Sequence, residues 1–278
     1  MNLLNHILGE DGHKVHLRVD RRNLIRGGAD IFAPGRYNTT WLAEIVVSFS
    51  KHRGHHLTLL QKSAVNHYWK QRIYDLEDKP PHTQYTILEK LTAYFHLFDA
   101  VFFFGSLNTR CDLKFSSQLD TTKNRNGETE TNYQSKTICL IPFSSQKRAK
   151  ITIYTATGLV SKRKILIHYL EILLHEMIHA FLNLWSCEYK PCRTAWERCG
   201  PGEHGFAFQD ILFALQRAVN DGMLLNLGLE LGGLTSLARE LFDFGLSEGF
   251  VKGERLRSWW MKRKDLRRRL GEIRKIIG

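Results

Sequence analysis

Cysteine is scarce in this chain: five among 278 residues, at Cys111, Cys139, Cys187, Cys192 and Cys199. An odd count, with a start (MNLLNHILGEDGHK) lacking the charged-then-apolar layout of a signal peptide, argues against a disulfide framework. No apolar run approaches the length of a membrane span, so no membrane partner is expected and an intracellular protein, nuclear or cytoplasmic, is the default. Acidic residues are also short, 28 against 40 Lys and Arg, for a net charge of +12. The deficit is local. Residues 85–250 carry 17 residues of each sign, whereas residues 251–278 carry 11 basic against 3 acidic, a net of +8. A neutral middle and a basic tail imply that any polyanion partner meets the tail.

What is present is one helix-forming run, LEILLHEMIHAFLNLW, from Leu170 to Trp185. It contains His175, Glu176 and His179 in the pattern H-E-x-x-H. Residues four apart on a helix lie one turn above each other, so both imidazoles can share one Zn²⁺. Glu176 is rotated off that line and can reach a water beside the metal. Ile172, Leu173, Leu174, Met177, Ile178, Phe181 and Leu182 surround the three, and polar groups in such a setting require a reason to be there.

A third ligand has to come from elsewhere. A metzincin would carry Gly at 182 and His at 185, where this chain has Leu182 and Trp185. Downstream, His204 precedes an apolar-periodic run of Phe206, Phe208, Ile211, Leu212 and Leu215, and can close a three-ligand site that leaves a fourth position for water. Glu203 and Glu197 are the rivals, since a carboxylate can also ligate; His204 is preferred. The turn Gly200–Pro201–Gly202 presents it.

HEMIHAFL followed by HGFAF resembles the SprT-like metallopeptidases, the group that includes Spartan, the protease of DNA–protein crosslinks. Upstream, YFHLFDAVFFFGSL (94–107) is similar to the family's first helix, and CDLKFSSQ to the strand after it. The likeness covers about 86–218. It implies that His175, His179 and His204 bind zinc, that Glu176 is the catalytic base and that DNA-associated proteins are substrates. The zinc ribbon of bacterial members is missing, because no paired C-x-x-C follows this region.

Taken in order, residues 1–38 lack any sustained period and read as a loosely ordered arm. Thr39 or Thr40 can cap a helix burying Trp41, Leu42, Ile45 and Val46, and a second helix is expected over about 57–76. His52, His55 and His56 fall in the turn between them and read as solvated. Pro80 and Pro81 mark a boundary. A helix over 86–98 and strands at 111–116, 137–143 and 149–155 follow, with 120–137 as a polar loop. The expectation is an α+β fold: a small zincin-like domain over 85–220, with a three-stranded sheet and the H-E-x-x-H helix starting near Ser161. Helical extensions over 1–84 and 221–278 flank it.

Glu171, one turn before His175, can accept a hydrogen bond from a ligand imidazole and fix its tautomer, or face solvent; His168 reads as a polar-face residue. Cys187, Cys192 and Cys199, spaced x4 and x6, read as ordinary loop thiols; a second structural metal would need another ligand to join them. A helix is expected near 235–242. The tail reads as one amphipathic helix over 254–277. Leu256, Trp259, Leu266, Leu270, Ile273 and Ile277 recur at threes and fours, opposite Arg257, Lys262, Lys264, Arg267, Arg268, Arg269, Arg274 and Lys275. That face can bind single-stranded DNA, with Trp259 and Trp260 as stacking surfaces. The functional expectation is a zinc metallopeptidase acting on protein substrates. The rival is a non-catalytic nucleic-acid-binding protein in which the metal only holds the fold.

Overall fold

The computed structural model describes residues 16–28, 31–76, 85–116, 126–131, 147–156, 161–189, 192 and 203–277. Its centre is a helix hydrophobic on every side, and such a helix is stable only when wrapped. This helix starts after Ser161 and runs Lys162–Trp185 (α5 in the numbering below). From Leu166 onward most of its side chains are buried, with Leu170, Leu173, Leu174, Met177, Ile178, Phe181 and Trp185 fully so. By length and composition it could cross a membrane, which no apolar run was expected to do; 61% of its most apolar window is buried inside the fold.

The helices before it are α1 (Arg21–Arg26), α2 (Thr39–Phe49), α3 (Leu59–Lys70) and α4 (Ile87–Phe102). Those after it are α6 (Phe206–Val219), α7 (Gly233–Asp243), α8 (Gly253–Ser258) and α9 (Arg263–Ile277). The fold is mixed α+β, with a three-stranded sheet in the order β1-β3-β2. Strand β1 (Cys111–Ser116) is parallel to β3 (Ala149–Tyr154), and β2 (Gly127–Thr131) is antiparallel to it. Central β3 buries Ala149, Ile151 and Ile153, and both β3 and β2 lie against α5.

Capping chemistry sets the helix starts. Thr86 and Glu89 form a capping box on α4, and Thr58 and Gln61 form one on α3. Asn38, not Thr39 or Thr40, caps α2, its side chain accepting from the Thr40 and Trp41 N–H groups. After α4 the chain turns sharply: Asp99 accepts the N–H groups of Leu107 and Asn108, with Phe104 and Gly105 at positive φ. Buried Gln61 does a second job. Its Nε2 donates to the carbonyls of Phe49 and Val101, at 3.0 and 2.9 Å, tying α2, α3 and α4 together.

Three expectations need correction. Residues 16–28 and 31–38 are not a loose arm. Phe32 and Tyr37 are in the core, and Tyr37 bridges both Leu17 and Ser186 at the end of α5. The polar stretch 120–137 contains a strand: Gly127–Thr131 needs no apolar alternation, because it is a sheet edge held by cross-strand polar pairs such as Lys150–Glu130 (2.9 Å). The strand expected at 137–143 lies outside the described residues. The tail is two helices, broken at Trp259–Lys262 where Trp260 adopts φ 57°. One hydrophobic cluster takes in Leu42 and Val46, Leu173 and Phe208, and Leu266 and Leu270.

The Gln61 junction gives a stability prediction. Gln61→Leu removes the side-chain donor from both carbonyls, of which the Phe49 carbonyl keeps the His52 N–H at 3.2 Å, and should cost about 1–3 kcal/mol. Urea unfolding followed by circular dichroism measures this. A variant as stable as the parent would show that the Phe49 and Val101 carbonyls do not depend on Gln61.

Candidate metal centre

Two imidazoles come from one helix and the third from the start of another. His175 and His179 project from the same face of α5, one turn apart. His204 immediately precedes Gly205, the N-cap residue of α6. Glu203 adopts φ 66°, in the left-handed region, at the turn leading into His204. The Gln209 amide donates to the His204 carbonyl at 3.3 Å. Phe208 lies beneath all three rings, with centroid separations of 5.0, 4.5 and 4.7 Å to His175, His179 and His204.

The three Nε2 atoms form a triangle with sides of 3.2 Å (175–204), 3.3 Å (175–179) and 3.1 Å (179–204). An imidazole N–H points out along its ring, so rings meeting head-on leave lone pairs that protons cannot all satisfy. One cation at the apex satisfies all three. A tetrahedral ion at about 2.0–2.1 Å from each nitrogen spaces them about 3.3–3.4 Å apart, close to the separations here. Burial, reinforced by the neighbouring His204, pushes His175 down to about 3 and holds His179 well below the usual imidazole range. Neutral imidazole is the ligating form. His175, His179 and His204 therefore fit a metal ion.

Glu176 is buried beside the triangle rather than in it. The Thr129 hydroxyl on β2 is 2.7 Å from Glu176 Oε2 and 3.0 Å from the Glu176 carbonyl oxygen. Gly127 makes this approach possible: a Cβ there would lie 2.5 Å from Ile172 Cγ2 and 3.1 Å from Glu176 Cγ. Buried Glu240 on α7 places Oε2 3.6 Å from His204 Nδ1. The centre forms the floor of an open cleft of about 710 Å³, walled by Gly127–Thr129 on one side and Glu230–Gly232 on another.

Glu171 lines this cleft but does not hold an imidazole; its Oε1 accepts the Glu230 N–H at 2.8 Å, and burial raises its carboxyl pKa. Glu203 also lines it, with its carboxylate 3.4 Å from the Asn183 amide nitrogen. Glu197 lies outside the described residues. His168 lines the cleft without joining the triangle. In the histidine-rich turn, His52 Nδ1 meets Gln61 Oε1 at 3.0 Å, while His55 and His56 are exposed. Thr129, Gly127 and Glu240 had no signal in the sequence: the first two meet α5 from 45 or more residues upstream, and Glu240 meets His204 from 36 residues downstream.

The tail splits into a docked face and an exposed one. Leu256, Leu266, Leu270 and Ile273 are buried. Trp259 is buried too, stacked on Phe213 and donating to Asp210 at 2.7 Å, so it offers no surface to a base. This corrects the paired-tryptophan expectation; Trp260 is 81% exposed. Arg257, Lys262, Lys264, Arg267, Arg268, Arg274 and Lys275 are exposed, with Arg267 paired to Glu248, and Arg269 is half-buried against Glu272.

The Glu240 contact is testable without reference to activity. Glu240→Gln should weaken metal binding at the three histidines by about 10–100-fold, measured by competition with a chelator. Equal affinity in the variant would mean that Glu240 does not orient His204.

Neither the family models, nor the curated proteins, nor the solved structures contain a match to this chain.

Proposed function

We propose that the protein is a zinc-dependent metallopeptidase of the SprT-like type, built on a zincin-like core. The observation that carries this reading is the triangle of three Nε2 atoms on the floor of an open cleft, with the Glu176 carboxylate alongside it. A metal that only holds a fold is closed by four protein ligands, and has no use for a buried carboxylate beside an open position. Zn²⁺ held there would supply Lewis acidity, polarising the scissile carbonyl and making water acidic enough to lose a proton near neutral pH.

The chain's own groups do the rest. Glu176 takes the proton from the attacking water and passes it to the departing amine. Thr129 keeps the Glu176 carboxylate aimed by hydrogen bonding to it, and Gly127 lets β2 approach closely enough for that bond. Among the described residues β2 pairs with β3 alone.

The exposed basic residues of α8, α9 and the turn between them support a second component, binding of single-stranded DNA. Arg257, Lys262, Lys264, Arg267 and Arg268 neutralise phosphates, and Trp260, with the Arg217 guanidinium 5.2 Å from its ring centroid, supplies a face for an unpaired base. The substrates would then be proteins associated with DNA. The rival, a nucleic-acid-binding protein with a purely structural metal, gives no role to the Glu176–Thr129 pair.

Glu176→Gln should keep its zinc and its fold yet lose about 10²–10⁴-fold in peptidase rate on a denatured protein. Cleavage at the parental rate would remove Glu176 from the mechanism.

Because α9 is built into the core, DNA binding is best tested by charge and not by truncation. Replacing Arg257, Lys262, Lys264 and Arg268 with Glu should lower affinity for single-stranded DNA by about tenfold or more at low salt, and flatten the salt dependence. Unchanged affinity would sink the DNA component and leave the peptidase reading standing.

A further inference from the structure

Three donors meet at the opposite end of α5. Cys187 follows Ser186, the residue that ends the helix, and its N–H donates to the Tyr37 carbonyl at 2.8 Å. Cys192 turns back toward it, its N–H donating to the Tyr189 carbonyl at 2.8 Å. His16 arrives with the N-terminal segment through the neighbouring Leu17, which bridges Tyr37. The ligand atoms of His16, Cys187 and Cys192 lie within 4.8 Å of one another, and His16 Nε2 is 3.6 Å from Cys192 Sγ.

Both cysteines are buried, 8% and 3% exposed, and neither is joined in a disulfide. Two sulfurs and an imidazole form a soft donor set, which suits zinc far better than calcium or magnesium. Tetrahedral zinc with Zn–S of about 2.3 Å spaces two sulfurs about 3.8 Å apart, so the donors need close by only about 1 Å. The chain's spacing alone concealed this cluster, because the imidazole comes from 171 residues before Cys187 in a segment with no periodic pattern.

We infer that His16, Cys187 and Cys192 supply three of the four ligands of a second, structural Zn²⁺, separate from the histidine triangle. Such an ion clips three parts of the chain together: the N-terminal segment, the end of the helix bearing His175 and His179, and the start of the connection that leads to His204. Thiolates in a buried site need a positive charge close by, and the ion provides it. The site requires no catalysis and stands independently of the peptidase reading.

Zinc per chain, measured on the full-length protein by elemental analysis, tests the assignment alongside the absorption spectrum after Co²⁺ exchange. The parent should hold two zinc ions per chain, and its Co²⁺ form should show a thiolate-to-metal charge-transfer band. His16→Ala and the double variant Cys187→Ser/Cys192→Ser should each hold one zinc, and the double variant should lose that band. His16→Ala keeps the test open if the double variant does not fold. His175→Ala/His179→Ala should also hold one zinc but retain the band. If it retains the full zinc content of the parent while the cysteine variant holds none, the clip stands and the histidine centre falls. The inference is overturned if the parent and both clip variants hold the same zinc with no thiolate band, or if mass analysis of the parent finds Cys187 and Cys192 oxidised to a disulfide.

Discussion

The structure depends on one constraint: α5 is apolar on every side and still carries two histidines and a glutamate in its buried half. An all-apolar helix must be wrapped, and polar side chains within the wrapping must be paired or left facing a cleft. Both requirements are met by the same neighbours. The sheet covers one side of α5 and sends Thr129 to Glu176. Helix α6 packs along another side and begins two residues after His204. Residues 31–37 cover the far end, where Phe32 lies against Phe181 and Trp185. The metal centre is therefore the place where the wrapping of α5 is left open.

Much of this was legible along the chain because it is local. The i, i+4 pair on α5, its start after Ser161, the α4 helix expected from residue 86 and the periodic run after His204 all depend on residues a few positions apart. Residues that act across long separations left no trace. Glu240 meets His204 from 36 residues downstream and Thr129 meets Glu176 from 47 residues upstream, and neither sits in a motif. Strand β2 was read as loop because an edge strand need not bury alternate residues. Phe32 and Tyr37 were passed over because isolated aromatics in a polar segment show no period, yet they form edge-to-face contacts in the core. The tail misled in the other direction. Its apolar spacing continues through Trp259, and only backbone geometry at Trp260 shows where the helix stops.

The sequence-based split into a neutral middle and a basic tail suggested a module attached to a core. Packing changes the meaning of that charge pattern. Asp210 on α6 accepts from Trp259 at 2.7 Å and from Arg255 at 2.6 Å, and Phe213, one turn further along α6, stacks on the Trp259 ring. The Asp210 carboxylate thus offsets one cation of the tail exactly where the tail meets the core, and the cations left exposed lie on its outer face. Charge segregation is a consequence of docking the apolar stripe, which forces the basic residues outward.

Helix α6 is then the strut between the two regions of interest. Just before its N-cap stands His204, and in its first turn Phe208 lies beneath the three imidazoles; on its next turns Asp210 and Phe213 hold α8 and Trp259. Helix α7 adds a second path, since Glu240 faces His204 while Thr235 on the same helix accepts from Arg269 of α9 at 3.2 Å. The contacts of α8 and α9 with the core thus fall on the two helices that flank the third imidazole. Of the three histidines, His204 alone sits outside the wrapped helix, between the two helices that also hold α8 and α9.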